Sequence, residues 1–300
     1  MEPIKIILNP IAGRGYGARS EPALRRFLSA EGVEFDLSLT EWPGHAVELA
    51  QQAAREGFGT IVAAGGDGTT HEVVNGLMTA QDGVAGTLGV IPVGSGSDFA
   101  HAVGIPLDLK GACQRLAHGR TRIVDACRVT VDDHPPLYFD NTVNVGFGGT
   151  VAYEASKIKW VRGLALYLPV VLKTVFFSQA PRVTIVYGSQ KLELAALMVC
   201  IANGPREGGG FLSAPDAQLD DGLFDLCIAH EIGKMAMLAL VPRFMDGSHV
   251  GHEAVEMARA GRVVISSPDD LIAHVDGEVL CTQAHRIEFE VLPQRLRVLC

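Results

Sequence analysis

Gly65-Gly66-Asp67-Gly68-Thr69 sets three glycines around one carboxylate, directly after the apolar run Thr60–Ala64 and before a helical pattern. Glycines let the main chain approach a bulky anion, and the N–H groups opening the next helix point toward it. Asp67 inside such a cradle repels phosphate unless a cation or sugar hydroxyl offsets its charge, so the segment points to a nucleotide phosphate with Mg²⁺ beside it. A second loop, Pro92-Val93-Gly94-Ser95-Gly96-Ser97-Asp98-Phe99-Ala100, repeats the arrangement after Leu88–Ile91. A third, Gly13-Arg14-Gly15-Tyr16-Gly17, follows Ile4–Leu8 and nearly matches the dinucleotide fingerprint, with Ala18 in the last glycine place. Thr40, with Glu41 behind it, stands where that fingerprint has its ribose-binding acid. No G-x-x-x-x-G-K-[ST] segment occurs, which excludes a P-loop enzyme.

Asp276-Gly277-Glu278 supplies two more carboxylates. Phosphoryl transfer to an alcohol rests on positioning and charge stabilisation, with a carboxylate in reach to accept the hydroxyl proton. In an extended segment the two side chains share a face, so either Asp276 or Glu278 serves as the base. The ten histidines form no H-x-x-x-H pair, so a helical zinc site is not expected.

These residues need elements to hold them. Up to about Ala117, the runs Ile4–Leu8, Glu34–Leu39, Thr60–Ala64 and Leu88–Ile91 read as strands, and Ser20–Ala30, His45–Glu56 and Thr70–Thr79 as helices between them. Short connections between alternating strands and helices imply a doubly wound parallel α/β sheet over residues 1–122, with the loops at its carboxyl edge. Beyond it, Arg122–Val131, Leu137–Val145, Arg182–Val186, Leu192–Ile201, Gly222–Ala229, Arg262–Ser266 and Arg286–Leu292 read as strands of an all-β, sandwich-like domain over 123–292. Residues 293–300 are expected to return to the first domain. Two helical stretches, Val151–Gln179 and Ile232–Met245, interrupt the strands. The first is rich in bases (Lys157, Lys159, Arg162, Lys173) and apolar residues (Trp160, Phe176, Phe177), as suits contact with an anionic membrane surface. Pro169 is expected to kink it.

Hydrophobic residues make up 48% of the 300 and charged ones 20%, so a packed core is expected rather than disorder. The net charge of −9 argues against a nucleic-acid partner. Six scattered cysteines without a C-x-x-C pair suit a reduced, cytoplasmic protein, and the N-terminus shows no secretory pattern.

The run GGDGTTHEVVNG (Gly65–Gly76), together with NPIAGRG (from Asn9) and PVGSGSDFA (from Pro92), resembles the diacylglycerol kinase catalytic family, which includes bacterial soluble lipid kinases and the sphingosine and ceramide kinases. The likeness continues through Asn203-Gly204, Gly208-Gly209-Gly210, Ala214-Pro215, Asp220-Asp221-Gly222 and Asp276-Gly277-Glu278. It implies an N-terminal nucleotide domain, a C-terminal β-sandwich and ATP- and Mg²⁺-dependent phosphorylation of a lipid hydroxyl at a membrane surface. By motif position it implies that Asn9, Thr40, Gly65, Gly66, Asp67, Gly68, Thr69, Thr70, His71 and Ser95 contact ATP. Asp67, Asp98 and Asp125 would form an acidic network around phosphates and Mg²⁺. The Asp221 carboxylate, with main-chain oxygens of Gln218 and Leu223, would hold a structural Mg²⁺, and Asp276 or Glu278 would be the general base. The chain departs from the family pattern at His71 (usually Asn), Ser95 (usually Thr) and Ser97 (usually Asn). An NAD kinase-like enzyme sharing GGDGT and a non-catalytic nucleotide- or lipid-binding module are the rival readings. The lipid acceptor and the oligomeric state, a homodimer included, stay open.

Overall fold

A computed structural model describes residues 3–80, 86–157, 164–177 and 179–300. The chain divides into two compact units, one of Met1–Ala126 with Tyr138–Asp140 and Pro293–Cys300, the other of Cys127–Leu137 with Asn141–Leu292.

The first unit runs β1 (Ile4–Leu8), α1 (Ala12–Ala30), β2 (Phe35–Leu39), α2 (His45–Arg55), β3 (Thr60–Gly65), α3 (Asp67–Thr79), β4 (Thr87–Pro92), α4 (Asp98–Ala102) and α5 (Leu109–His118). Its strands are parallel in the order β4-β3-β1-β2. β1 is buried throughout, and β3 and β4 are buried at all but their first residues, the pattern of parallel strands covered on both faces. Helix α1 packs with α5, and α2 with α3. The α2–α3 contact is set by small residues: Ala46, Ala50 and Ala53 form the buried stripe of α2. A Cβ at Gly76 of α3 would collide with Ala50. The α/β character read from the sequence is thus present, but the compact unit continues to Ala126, beyond the expected boundary at 122, and takes in Tyr138–Asp140.

The chain end joins this unit. Arg120 and Cys300 exchange main-chain hydrogen bonds at 2.9 and 3.0 Å, and Val298 pairs with Leu88 in parallel. Asp125, fully buried on β5 (Thr121–Val131), accepts the Gln294 N–H at 2.7 Å, where Gln294 takes a left-handed φ of 54°.

The second unit carries β6 (Leu137–Phe139, shared with the first), β7 (Thr142–Gly146), α6 (Phe147–Ser156), α7 (Leu164–Phe177), β8 (Arg182–Tyr187), β9 (Gln190–Ala202), β10 (Phe224–His230), α8 (Lys234–Asp246), β11 (Val255–Ala260), β12 (Arg262–Val275) and β13 (Glu278–Leu299). Its strands are antiparallel in the order β11-β10-β9-β7-β12-β13, and β8 pairs with both β12 and β9.

Several elements differ from the sequence reading. The expected strand Leu137–Val145 breaks at Asp140-Asn141, where Asn141 leaves the ladder and its carbonyl accepts the Asn203 N–H at 2.8 Å. The expected helical stretch Val151–Gln179 is two helices, and Pro169 sits inside α7 rather than at the break. Lys159, Trp160 and Arg162 lie outside the described residues. β11 went unannounced, its apolar residues interleaved with Glu256 and Arg259. No helix among the described residues is long and apolar enough to cross a membrane.

Replacing the buried Asp125 by Ala leaves the Gln294 N–H without its carboxylate. The loss is expected to destabilise the chain by about 1–3 kcal/mol in denaturant titration, with exchange of the Gln294 amide accelerated most.

Candidate functional site

Three glycine loops leave the carboxyl ends of the adjacent strands β1, β3 and β4, and their main chains touch. The N–H groups of Val93 and Gly94 both donate to the Gly65 carbonyl at 2.9 Å. A Cβ at Gly94 would collide with the Gly66 main chain, one at Gly96 with the Asp67 carboxylate, and one at Gly13 with the Val93 carbonyl. Gly13, Arg14 and Gly15 are consecutive left-handed residues (φ 55°, 60° and 78°) that break α1 before its regular part begins. Gly17 then packs its Cα against the Asn9 main chain.

The side chains named from the sequence fall into distinct roles. Asn9 donates to Thr69 Oγ1 at 3.1 Å and accepts the Ile11 N–H at 3.1 Å, tying the first loop to α3. Asp67 occupies the first turn of α3, and its Oδ1 lies 3.4 Å from the Phe99 N–H in the first turn of α4, so one carboxylate serves two helix starts. Thr69, Thr70 and Asp98 are buried, Ser95 is exposed, and Thr40 continues the β2 pairing by donating its N–H to the Leu8 carbonyl. Asp125 serves as the clasp for Gln294.

Two residues of α3 escaped the sequence reading. Glu72 accepts the N–H groups of Gly44 and Ala46 at 2.9 and 3.0 Å, closing the start of α2, where His45 stacks on Trp42. Asn75, buried, donates to the Tyr138 carbonyl at 2.7 Å and accepts the Tyr138 N–H at 2.9 Å, as a neighbouring strand would. The same amide lies 3.3 Å from His71 Nε2. The spacing of Glu72 and Asn75 within GGDGTTHEVVNG was the one available signal.

In the second unit Asp276 is buried and Glu278 exposed. The expectation that they share the face of an extended segment is corrected. Val275 pairs with Glu278, and Asp276 and Gly277 (φ 46° and 88°) form the two-residue turn between β12 and β13. Asp-Gly is the strongest short hairpin signal, and it was there to be read. Asp276 Oδ1 accepts the N–H groups of Asn141 and Thr142 at 3.2 and 2.9 Å, while its own N–H donates to the Thr142 carbonyl.

Asp221 Oδ1 accepts the Leu223 N–H at 3.0 Å, and its other oxygen meets Arg259. Asp225, 3.4 Å from the same guanidinium, keeps a buried Oδ2 without a hydrogen-bond partner; burial, and then the charge of Asp216, pushes its carboxyl up to about 6. Two carboxylates sharing one guanidinium, one of them with a buried oxygen left over, are hard oxygen donors that fit a divalent cation.

The same unit encloses a cavity of about 110 Å³ lined by Phe147, Val151, Val171, Met237, Leu240 and Phe244, among others, with Gly277 of the hairpin turn in its wall.

Residues 3–129 match the family model described as the diacylglycerol kinase catalytic domain, and residues 141–300 that of the YegS C-terminal NAD kinase beta sandwich-like domain. The chain is 32% identical over 282 residues to a diacylglycerol kinase of Bacillus subtilis (strain 168), covering 93% of this chain and 90% of that one. It is 30% identical over 269 residues to a Pectobacterium atrosepticum protein named "Probable lipid kinase YegS-like", covering 89% and 86%. The fold is that of the crystal structure of a diacylglycerol kinase from Bacillus anthracis str. Sterne (TM-score 0.75, 23% identity, 99% and 96% covered).

Because burial raises the Asp225 carboxyl, the folded chain keeps a proton that the unfolded chain, with its ordinary value of 3.8, gives up. The stability from this group is complete below about pH 4 and is lost as pH rises through about 6. Asp225→Asn is therefore expected to raise the unfolding free energy at pH 7 in EDTA by roughly 1 kcal/mol, read as a higher denaturant midpoint, and to flatten its pH dependence between pH 4 and 6.

Proposed function

We propose, from the premise that the chain belongs to the diacylglycerol kinase catalytic family, that it transfers the γ-phosphate of ATP to a lipid hydroxyl in the presence of Mg²⁺. The observation carrying this reading is the interlock of the two loops at 65–69 and 93–99. Their shared main-chain contact puts α3 and α4 N–H groups and the Asp67 carboxylate in one small region, with the Ser95 hydroxyl exposed on the same loop. Such a platform binds phosphates through N–H groups and needs a cation to reconcile them with Asp67.

Asp67 and Asp98 would hold the nucleotide's Mg²⁺, and Asp221 with the carbonyl oxygens of Gln218 and Leu223 a structural one. Bound Mg²⁺ neutralises phosphate charge. The chain's own contribution is positional. Asn9 and Thr69 hold the first loop against α3, Glu72 fixes the start of α2, and N–H groups among residues 66–68 and 95–97 would face the anion. In the second unit Asp276 accepts the proton of the lipid hydroxyl. Its Oδ1 is pinned by two main-chain N–H groups, which orients the carboxylate before substrate arrives. Glu278, exposed beyond the turn, is the weaker candidate.

The lipid comes from a membrane surface. Phe177 is 81% exposed, beside exposed Phe176 and Leu172 of α7 and Met235 of α8. Lys234 stands among them, with Lys173, paired to Glu154, alongside, an apolar patch with basic groups at its edge.

Purified protein given γ-labelled ATP, Mg²⁺ and a total lipid extract is expected to label a lipid. Label entering NAD instead, or tight ATP binding without transfer to any lipid, sinks this reading. Asp276→Asn keeps an oxygen for the two N–H groups but cannot accept a proton, and is expected to lower kcat by about 10²–10⁴ without shifting the melting temperature. Phe177→Ser is expected to weaken sedimentation with anionic vesicles severalfold while leaving ATP binding intact.

A further inference from the structure

The apolar cavity of the second unit contains polar groups that the phosphoryl-transfer chemistry does not use. Glu207, Asn144, Ser213 and His274 all line it, and each is at least nine-tenths buried. Glu207 is held rigidly. Its N–H donates to the Phe211 carbonyl at 2.8 Å and the Phe211 N–H returns to the Glu207 carbonyl at 2.9 Å. Gly208 and Gly209 make that short link with φ of 60° and 77°, values that strain other residues. The glycine motif thus serves to reverse the chain and point one acid into the cavity.

Glu207 Oε1 is satisfied: Asn144 Nδ2 donates to it at 3.0 Å and Ser213 Oγ at 2.5 Å. A carboxylate only accepts, so Asn144 must present its amino group here, and its oxygen is turned away. Asn144 Oδ1 and Glu207 Oε2 are both buried and receive no hydrogen bond. His274 Nε2 lies 3.5 Å from Oε2, and its Nδ1 also has no partner. Glu207 is felt in the surrounding core: burial first, then this acid, pushes the Cys227 thiol up to about 12. An apolar cavity with two unmet acceptor oxygens is complementary to an apolar chain that brings hydrogen-bond donors.

We infer that Glu207, Asn144, Ser213 and His274 form an acceptor subsite that reads a second hydrogen-bond donor on the lipid, besides the hydroxyl that is phosphorylated. This rests on the lipid-kinase reading and narrows its substrate class. A diacylglycerol has one hydroxyl, and its remaining oxygens are ester acceptors that cannot satisfy Glu207. A lipid with one acyl or alkyl chain and a further hydroxyl or ammonium on its backbone can. Gly277, in the same cavity wall, is the neighbour of Asp276, so such a lipid lies along the turn that carries the proposed base.

The test uses the full chain in two assays. Calorimetric binding without ATP compares 1-monooctanoylglycerol, a short-chain sphingoid base and 1,2-dioctanoylglycerol. Labelled-phosphate transfer compares the long-chain counterparts in mixed micelles. At least one donor-bearing lipid is expected to bind at least about tenfold more tightly than the diacyl compound, with the two donor arms separating hydroxyl from ammonium. The same lipid is expected to lead in kcat/KM. Glu207→Gln, folded by its melting temperature, is expected to collapse the preference, chiefly through KM. Equal or tighter binding of the diacyl compound by the wild-type chain overturns the inference, as does an unchanged preference in folded Glu207→Gln. Should that variant not fold, the wild-type binding order decides. Donor preference in binding with no transfer to any lipid keeps the subsite and overturns the kinase reading.

Discussion

The Gly65 carbonyl receives two N–H groups, from Val93 and Gly94, each at 2.9 Å, and the arrangement of the first unit's edge hangs on that contact. It joins the loops after β3 and β4 main chain to main chain, which no pair of side chains could do as closely. The glycines there are needed for proximity, not for unusual backbone angles: Gly65, Gly66, Gly94 and Gly96 are absent from the left-handed residues, unlike Gly13 and Gly15. A methyl group at 94 would drive the loops apart, the N–H groups of α3 and α4 would no longer share a region, and Asp67 would lose the Phe99 N–H. The parallel register of β3 and β4, Gly65 opposite Pro92, sets the level at which this happens.

Buried acids are managed by more than one device. Asp125 and Asp276 are offset by main-chain N–H groups from a distant part of the chain, so each works as a clasp as well as a charge. Asp225 has half that support and responds by holding its proton more tightly. Glu207 satisfies one oxygen fully and leaves the other facing a cavity. An orphan oxygen is tolerable where a ligand donor completes it, which is why Glu207 is where donor binding is proposed.

How much of this was legible in the sequence depended on range. The parallel strands and the three glycine loops are local signals, a short apolar run followed by clustered glycines, and they stand within a residue or two of where the pattern puts them. Asp67 and Asp98 could be picked out because they sit inside those loops. Glu72 and Asn75 could not be given roles, since their partners, Gly44 and Tyr138, lie 28 and 63 residues away. The Asp276-Gly277 turn was legible and was passed over because spacing alone suggested an extended segment. Glu207 was hidden by its neighbours: a run of three glycines draws the eye to loop flexibility, whereas here it fixes an acid.

The cavity's polar wall follows from strand register more than from any motif. Cys227 pairs with Cys200, Cys200 with Asn144, and Asn144 with His274, one aligned row across β10, β9, β7 and β12. Directly opposed residues share a face, so the register alone brings Asn144 and His274 together on the cavity side. The rows to either side are apolar, Val199-Val145-Ala273 and Ile201-Val143-Val275. A slip of one residue in β7 would turn Asn144 to the opposite face and bring Val143 or Val145 into its place, removing the amide that anchors Glu207. The hairpin closing two residues beyond His274 makes the same register set the height of Asp276. The acid proposed as base and the subsite proposed to read the lipid are thus positioned by one ladder of hydrogen bonds, and neither can shift along β12 without the other.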